Sequence, residues 1–528
     1  MKEGRGVDMV RSNQMLFGYL ADKNAKYYPD KIFLIDENRR CTFREFNSRT
    51  NAMARGFLNA GIKPGDRVAV LNHNSVELFE VYFGAMKAGG IPVPINVRLA
   101  PPEVAEILQD AAPSLLLVHK NYLPKIPPKG PGQTWSRVYA IGGSGTLPDY
   151  QSLIGNNPTS RVEPAADDDD PAILIYTSGT TGKPKGVMLT HRNLLADVWS
   201  SCVTRRLAPD DVALVTAPLY QAGAFGSMIA NVFRGNTIVI LDGFDPPKVL
   251  ATIEREKVTT ALFVPAMILK LLEFPDSGRY DLSSMRTVVY GAAPMPVGAL
   301  KQAMERFRWD FIGACGATET GPGYIAFLDR ENHYLDGSPQ MEKRLQSIGK
   351  EGINAEVRIF DDEDRELPPG EVGEIVLRGP NIMKGYWGKP KETAEALRSG
   401  WYHTGDLGYI DADGYIYIVD RKKDLVISGG FNVYPKEIEN ALGTHPAVLE
   451  SAVVGIPHPR WGETPLAFVV LKKGGPAPQL EELMGFLRER LADYKLPKGG
   501  IQFTQELPRN ASGKVLKREL RARVSPKS

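Results

Sequence analysis

Short apolar runs alternate with longer amphipathic ones over the first two thirds of the chain. Residues 66–71 read as a strand and 75–88 as a helix with Ser75 as its N-cap. A second strand fits 91–95 and a second helix 102–111. Further strands are expected over 213–216, 237–241, 261–264 and 287–290, with helices over 247–257, 266–274 and 297–306. Strand–helix alternation of this kind predicts parallel sheets covered by helices. The texture changes after about Gly349. Residues 355–360, 373–378 and 414–419 alternate apolar and polar positions between Asp-rich turns, the pattern of antiparallel strands. The charged run Asp420-Arg421-Lys422-Lys423-Asp424 separates this region from a segment of about 100 residues with its own alternation over 435–442, 448–456, 466–471 and 479–491. We take it as a domain boundary, giving domains over 1–421 and 422–528.

One stretch, 212–233, carries no charge and is long enough to span a bilayer. It also holds Thr216, Pro218, Gln221, Gly223, Gly226, Ser227 and Asn231, so a buried strand, a loop and a buried helix are expected instead. The first residues lack the apolar core of a secretory leader. A soluble, cytoplasmic protein is expected.

Composition is that of an ordinary globular chain of 528 residues, 43% hydrophobic and 24% charged, which excludes fibrous and disordered classes. Lys+Arg 64 against Asp+Glu 62 leaves no overall electrostatic reason to bind nucleic acid. The cysteines, Cys41, Cys202 and Cys315, are too few and too far apart for a disulfide framework or a zinc site.

The strongest local signal is Thr177-Ser178-Gly179-Thr180-Thr181-Gly182-Lys183-Pro184-Lys185-Gly186, which follows the apolar run Ala172-Ile173-Leu174-Ile175. Small residues let backbone N–H groups approach an anion, hydroxyls add donors, and lysine supplies charge. The segment therefore reads as a polyphosphate cradle. It is not the common nucleotide P-loop, which counted from Gly179 would need glycine at 184 and a hydroxyl at 186; the chain has Pro184 and Gly186 there.

This loop resembles the signature of the adenylate-forming superfamily of acyl-CoA synthetases, peptide-synthetase adenylation domains and luciferases, most of all its bacterial fatty-acyl-CoA synthetases. Further motifs follow in the family's order. Gly291-Ala292-Ala293-Pro294 resembles the adenine-side loop, with Cys315, Gly316 and Ala317 beside it. Thr318-Glu319 resembles the pair that meets the α-phosphate and Mg²⁺, and Asp406, in Trp401-Tyr402-His403-Thr404-Gly405-Asp406, the carboxylate on the ribose. Asp420–Asp424 resembles the hinge segment, with Arg421 toward the nucleotide and Lys423 as hinge residue. Ser428-Gly429-Gly430-Phe431 resembles the CoA-tunnel segment, and Lys514 the catalytic lysine of the C-terminal loop. The resemblance implies an α/β fold with two parallel-containing sheets, a β-barrel-like subdomain and a small mobile α+β C-terminal domain. It implies ATP, Mg²⁺ held by Glu319, and CoA as co-substrate, a small carboxylate as partner, and allows a homodimer.

The implied reaction adenylates a carboxylate and then passes the acyl group to CoA. Tyr220, Gln221, Gly223, Gly313 and Ala314 are the implied acyl-pocket residues. Two departures bear on them. Gln221 stands where relatives often have histidine, and it cannot titrate near neutral pH. Cys315 stands where a tyrosine usually stacks on adenine, and losing that ring costs on the order of 1 kcal/mol. The small residues Gly313, Ala314 and Ala317 suggest a roomy pocket on that side. A medium- or long-chain fatty acid is the first expectation. Aromatic or alicyclic acids, or loading of a carrier protein, are the alternatives. Lys514→Ala should abolish ATP–pyrophosphate exchange and spare CoA transfer from supplied acyl-AMP. Equal loss of both half-reactions would contradict the role given to Lys514.

Overall fold

The computed structural model describes residues 16–128, 134–135, 137–163, 166–177, 183–334, 337–472, 477–509 and 514–524. The chain divides into two units: residues 1–357 with 378–402, and residues 358–377 with 403–528. The expected boundary run, 420–424, lies inside the second unit.

The first unit holds three sheets. Ile91–Pro94, Arg67–Leu71, Leu115–His119 and Arg137–Ile141 form a four-stranded parallel sheet in that order. The largest sheet has nine strands. Its centre runs Asp310–Cys315, Thr287–Gly291, Thr260–Phe263, Val212–Val215, Thr237–Ile240 and Ile32–Ile35, all parallel. Antiparallel strands close both edges, with Arg40–Thr42 at one and Ala326–Leu328 followed by Lys350–Glu351 at the other. Parallel strands covered on both faces must be apolar throughout. Thr260–Phe263 and Thr287–Gly291 are accordingly buried at every position. The third sheet is antiparallel: Gly385–Tyr386, Lys185–Thr190 and Pro171–Thr177.

Helices start where the sequence supplies caps. Ser75 accepts from the Leu78 N–H and opens Val76–Lys87, whose residues are all buried except Glu77. The charge-free stretch resolves into the strand Val212–Val215 and the helix Ala222–Arg234, which stops at Gly235 in the left-handed region (φ +74°). Among the described residues no helix is long and apolar enough to cross a membrane.

Among the helices that were not expected, two are long. Phe43–Asn59 is opened by a capping box of Thr42 and Glu45. Its Gly56 weakened the helical pattern, but a Cβ there would lie 1.8 Å from the Leu153 carbonyl oxygen. His191–Thr204 buries Asn193, Asp197, Ser200 and Ser201, so its inner face does not look apolar in sequence.

Beyond Gly349, Gly373–Arg378, Trp401–Ile410 and Ile416–Arg421 share one five-stranded sheet, most of it in the second unit. Farther on, Val448–His458 pairs antiparallel with Gly462–Leu471 along its whole length, and Ile501–Phe503 adds a parallel strand. One face buries Val453, Val469, Ile438, Leu442, Leu483 and Leu487 beneath the helices Pro435–Gly443 and Leu480–Arg488. The other buries Val454, Phe468 and Leu507 beneath Leu520 of Lys517–Val524. Asp420 joins the two parts of this unit by accepting the Lys436 N–H at 2.7 Å.

Candidate active site

Thr177 ends the strand Pro171–Thr177 and pairs with Lys185, the first residue of the returning strand. The expected cradle residues Ser178, Gly179, Thr180 and Thr181 fall between them, outside the described residues. The Lys185 Nζ sits 4.8 Å from the centroid of the Tyr386 ring, within reach of its π face. The Tyr386 hydroxyl in turn donates to Glu319 Oε1 at 3.0 Å. One buried ring thus bridges a phosphate-loop cation and the expected metal carboxylate. Sequence reading missed Tyr386; its only trace was an aromatic in a short Gly-Tyr-Trp run.

The residues expected on the adenine side leave the carboxyl ends of two neighbouring parallel strands. Gly291 ends one, and a Cβ on it would lie 2.2 Å from the Ala314 carbonyl oxygen. Gly316 is just as confined, 2.2 Å from the Gly323 carbonyl oxygen. Ala292 follows at φ +65°, a left-handed conformation that is strained for a residue with a Cβ. It and Ala293 are exposed, while Cys315 and Ala317 are half-buried. Thr318 and Glu319 sit on the loop beyond. That loop is tied by Thr320, whose Oγ1 accepts the Ala317 N–H and donates to the Ala317 carbonyl, both at 2.9 Å. The Met383 N–H donates to the Glu319 carbonyl at 2.9 Å, and Asn381 Nδ2 to the Thr320 carbonyl at 2.8 Å.

On the acyl side, Tyr220 lines a cavity of about 310 Å³. Thr216, Pro218, Phe244, Val264 and Met267 supply apolar wall, and His73, Arg98, Asp242 and Lys270 supply charge or polarity. These residues follow the carboxyl ends of parallel strands, where open α/β sheets bind ligands. Gln221 precedes the helix Ala222–Arg234 without capping it, and the space beside Gly223 is open. Ala314 packs in the apolar cluster of Ala217, Ala224 and Val289. The expected room at Gly313 is absent. Successive strand residues face opposite ways, and on the Gly313 face a Cβ would lie 3.0 Å from the Tyr290 hydroxyl and 3.0 Å from the Leu328 Cβ. The Tyr290 ring fills that space, held by its hydroxyl 3.0 Å from His333 Nε2. A larger cavity, about 490 Å³, is lined by residues 36–40 and the helix Pro246–Glu256, and none of the expected site residues borders it.

The second unit gathers the remaining groups. Asp406 and Arg421 face each other across paired strands and form an ion pair of 2.6 Å. Burial raises the Asp406 pKa, and the Arg421 and Lys514 cations oppose that rise. Burial, then Arg421 and Lys423, push the Lys514 pKa below the usual lysine range, and Asp406 and Asp424 draw it back. Arg421 and Lys514 therefore share the surroundings of Asp406, and Lys423 acts on Lys514. Ser428 is buried at the end of Val426–Ser428, and Gly429 and Gly430 form the hairpin turn to Phe431–Val433. Both glycines have positive φ, +59° and +84°, which two-residue hairpins favour. Phe431 is 56% exposed and lies 4.8 Å from the Tyr494 ring.

The family model described as AMP-binding enzyme matches residues 21–387, and that of the AMP-binding enzyme C-terminal domain matches 437–514. The chain belongs to the AMP-binding enzyme family. This member is 40% identical to a feruloyl-CoA synthase of a Streptomyces species, over 91% of the chain and 94% of the relative. It is 35% identical to the long-chain-fatty-acid–CoA ligase of Bacillus subtilis (strain 168), over 96% and 94%. The structure of o-succinylbenzoate CoA synthetase from Bacillus subtilis with its acyl-adenylate superposes with a TM-score of 0.82 at 32% identity, covering 95% of this chain and 97% of that one. The chain is an AMP-forming acid–thiol ligase that uses ATP, Mg²⁺ and CoA.

The donor set fits Mg²⁺. Glu319 offers a hard carboxylate, and Mg²⁺ characteristically takes one or two carboxylates together with phosphate oxygens and water. Among the described residues no cluster of three His, Cys, Asp or Glu could hold a metal alone. Tyr386→Phe keeps the ring beside Lys185 and removes the donor to Glu319. A hydrogen bond to a charged group contributes about 1.5–3 kcal/mol. ATP–pyrophosphate exchange by Tyr386→Phe should therefore fall about tenfold or more and need more Mg²⁺ for half-maximal rate. An unaltered Mg²⁺ titration would show that Tyr386 does not hold Glu319 for the metal.

Proposed function

We propose that the chain activates a compact, apolar carboxylic acid, first of all an aromatic one of cinnamate size, and transfers it to CoA. The observation that supports the adenylation chemistry is the Arg421–Asp406 ion pair of 2.6 Å, with Lys514 near enough to act on both charges although it is distant in sequence. A free carboxylate is a poor acyl donor because its leaving group would be oxide. In the first half-reaction its oxygen attacks the α-phosphorus of ATP and pyrophosphate leaves. Negative charge grows on the oxygens about phosphorus, and fixed cations stabilise it. Lys514 supplies that charge to the α-phosphate region, Asp406 accepts from the ribose hydroxyls, and Thr177 and Lys185 hold the outer phosphates with the loop between them. Mg²⁺ on Glu319 offsets phosphate charge when bound. Lys514 acts as a cation, so its lowered pKa makes adenylation fail at a lower pH on the alkaline side than an ordinary lysine would.

In the second half-reaction the CoA sulfur attacks the acyl carbon, its proton is lost, and AMP leaves. Ser428, Gly429, Gly430 and Phe431 are the proposed path for the pantetheine. A change in backbone direction at Lys423 is proposed to bring them into use, with the catalytic domains divided at 421 and 422. The cytoplasm, where ATP and CoA are supplied, is the proposed compartment.

Two observations support a compact acid. The cavity beside Tyr220 has about 310 Å³, at the small end of ligand pockets. The similarity to feruloyl-CoA synthase supports the same reading. A fatty acid, the first expectation from sequence, remains the second reading, favoured by the similarity to the Bacillus ligase.

A panel of ferulate, cinnamate, benzoate, octanoate, dodecanoate and palmitate should be assayed for pyrophosphate release with and without CoA. The highest kcat/KM is expected for a cinnamate-type acid with CoA-dependent thioester formation. A maximum at palmitate would reverse the substrate order. Release without thioester formation would indicate a carrier protein as acceptor.

A further inference from the structure

The helix His191–Thr204 carries Asn193 and Asp197 one turn apart and so on one face. Both buried side chains bind backbone on either side of the candidate site rather than each other. Asn193 Nδ2 donates to the carbonyls of Pro380 and Ile382, each at 2.8 Å. Asp197 Oδ1 accepts the Tyr324 N–H at 3.1 Å. The two gripped segments are themselves joined through the Glu319 and Thr320 carbonyls, as described above.

Space reinforces these bonds. The Asp197 carboxylate occupies the volume that a side chain at 323 would need, because a Cβ on Gly323 would lie 1.7 Å from Oδ1. A Cβ on Gly226 would lie 2.1 Å from the Pro322 carbonyl oxygen, so the next helix confines the same loop. Asp197 is only 1% exposed, and its Oδ2 has no hydrogen-bond partner among the described residues. Arg205, the cation nearest in charge effect, gives its hydrogen bonds to Ser227 and Thr260. A carboxyl group buried this way is unfavourable for stability alone, since an apolar side chain would avoid the desolvation.

We propose that Asp197 is a positioning residue for adenylation: it fixes the backbone over 316–324 and through it the side chains of Thr318 and Glu319. This rests on the reading of Glu319 as the group facing the metal and phosphates. The carboxylate takes no part in bond making. It sets where the loop stops, and a displacement of about 1 Å in a reacting group can lower a rate by about 100-fold.

The test uses the full chain with ATP, Mg²⁺ and the best acid of the panel. Asp197→Ala should lower kcat for ATP–pyrophosphate exchange by about tenfold or more, with CoA transfer from supplied acyl-AMP within about twofold of the unsubstituted enzyme. Asp197→Asn, which keeps an oxygen for the Tyr324 N–H, should recover exchange to within about threefold. Gly323→Ala should impair exchange as Asp197→Ala does, and the double variant Asp197→Ala/Gly323→Ala should be no worse than Gly323→Ala alone, because the colliding carboxylate is gone. Thermal melting of each variant separates loss of fold from loss of alignment. Exchange by Asp197→Ala at the unsubstituted rate, or equal loss of both half-reactions, would overturn the proposal. Failure of the unsubstituted enzyme to release pyrophosphate with any acid would instead overturn the ligase reading beneath it.

Discussion

Backbone meets backbone at the carboxyl edge of the nine-stranded sheet, and the rest of the site depends on that approach. Gly291 against the Ala314 carbonyl and Gly316 against the Gly323 carbonyl leave no volume for a β-carbon. Two loops can therefore leave adjacent parallel strands and stay side by side. One of them, Gly291-Ala292-Ala293, presents exposed backbone and small side chains; the other carries Thr318 and Glu319. With larger residues at the glycines the loops would separate, and the adenine-side and phosphate-side groups would lose their mutual register. The strained Ala292, at φ +65°, directly follows Gly291 in the same arrangement.

Charge is then placed locally rather than globally. The chain is almost neutral, with 64 basic against 62 acidic residues. The cations proposed to meet the nucleotide are few, and each has a specific neighbour. Lys185 lies by the Tyr386 ring, Arg421 pairs with Asp406, and Lys514 shares the field of both. Such contacts restrain long flexible side chains in advance, so less entropy would be lost if they bind the nucleotide as proposed. The same logic explains Tyr386, which gives one face to a cation and its hydroxyl to a carboxylate.

Much of this was legible in the sequence, and the failures have physical reasons. Strongly apolar runs such as 287–290 and the Ser75 cap gave strands and helices close to those observed, because burial on both faces and a capping hydroxyl leave local signatures. The helix His191–Thr204 was missed because its buried face is polar. Tyr386 and Asp197 were missed because their partners lie 67 and 127 residues away, beyond any local pattern. Gly313 was misread as pocket space, although strand period alone puts it on the face opposite Ala314. Gly429 and Gly430 belong to the segment that resembles the CoA tunnel; their positive φ values show that the hairpin also favours glycine there.

The central claim is that the acid is activated on the α-phosphorus. It is tested most directly by supplying the best acid with ¹⁸O in both carboxylate oxygens, together with ATP and CoA. The account predicts one ¹⁸O in the AMP released and the other retained in the thioester carbonyl. Label in inorganic phosphate or pyrophosphate, with unlabelled AMP, would contradict it.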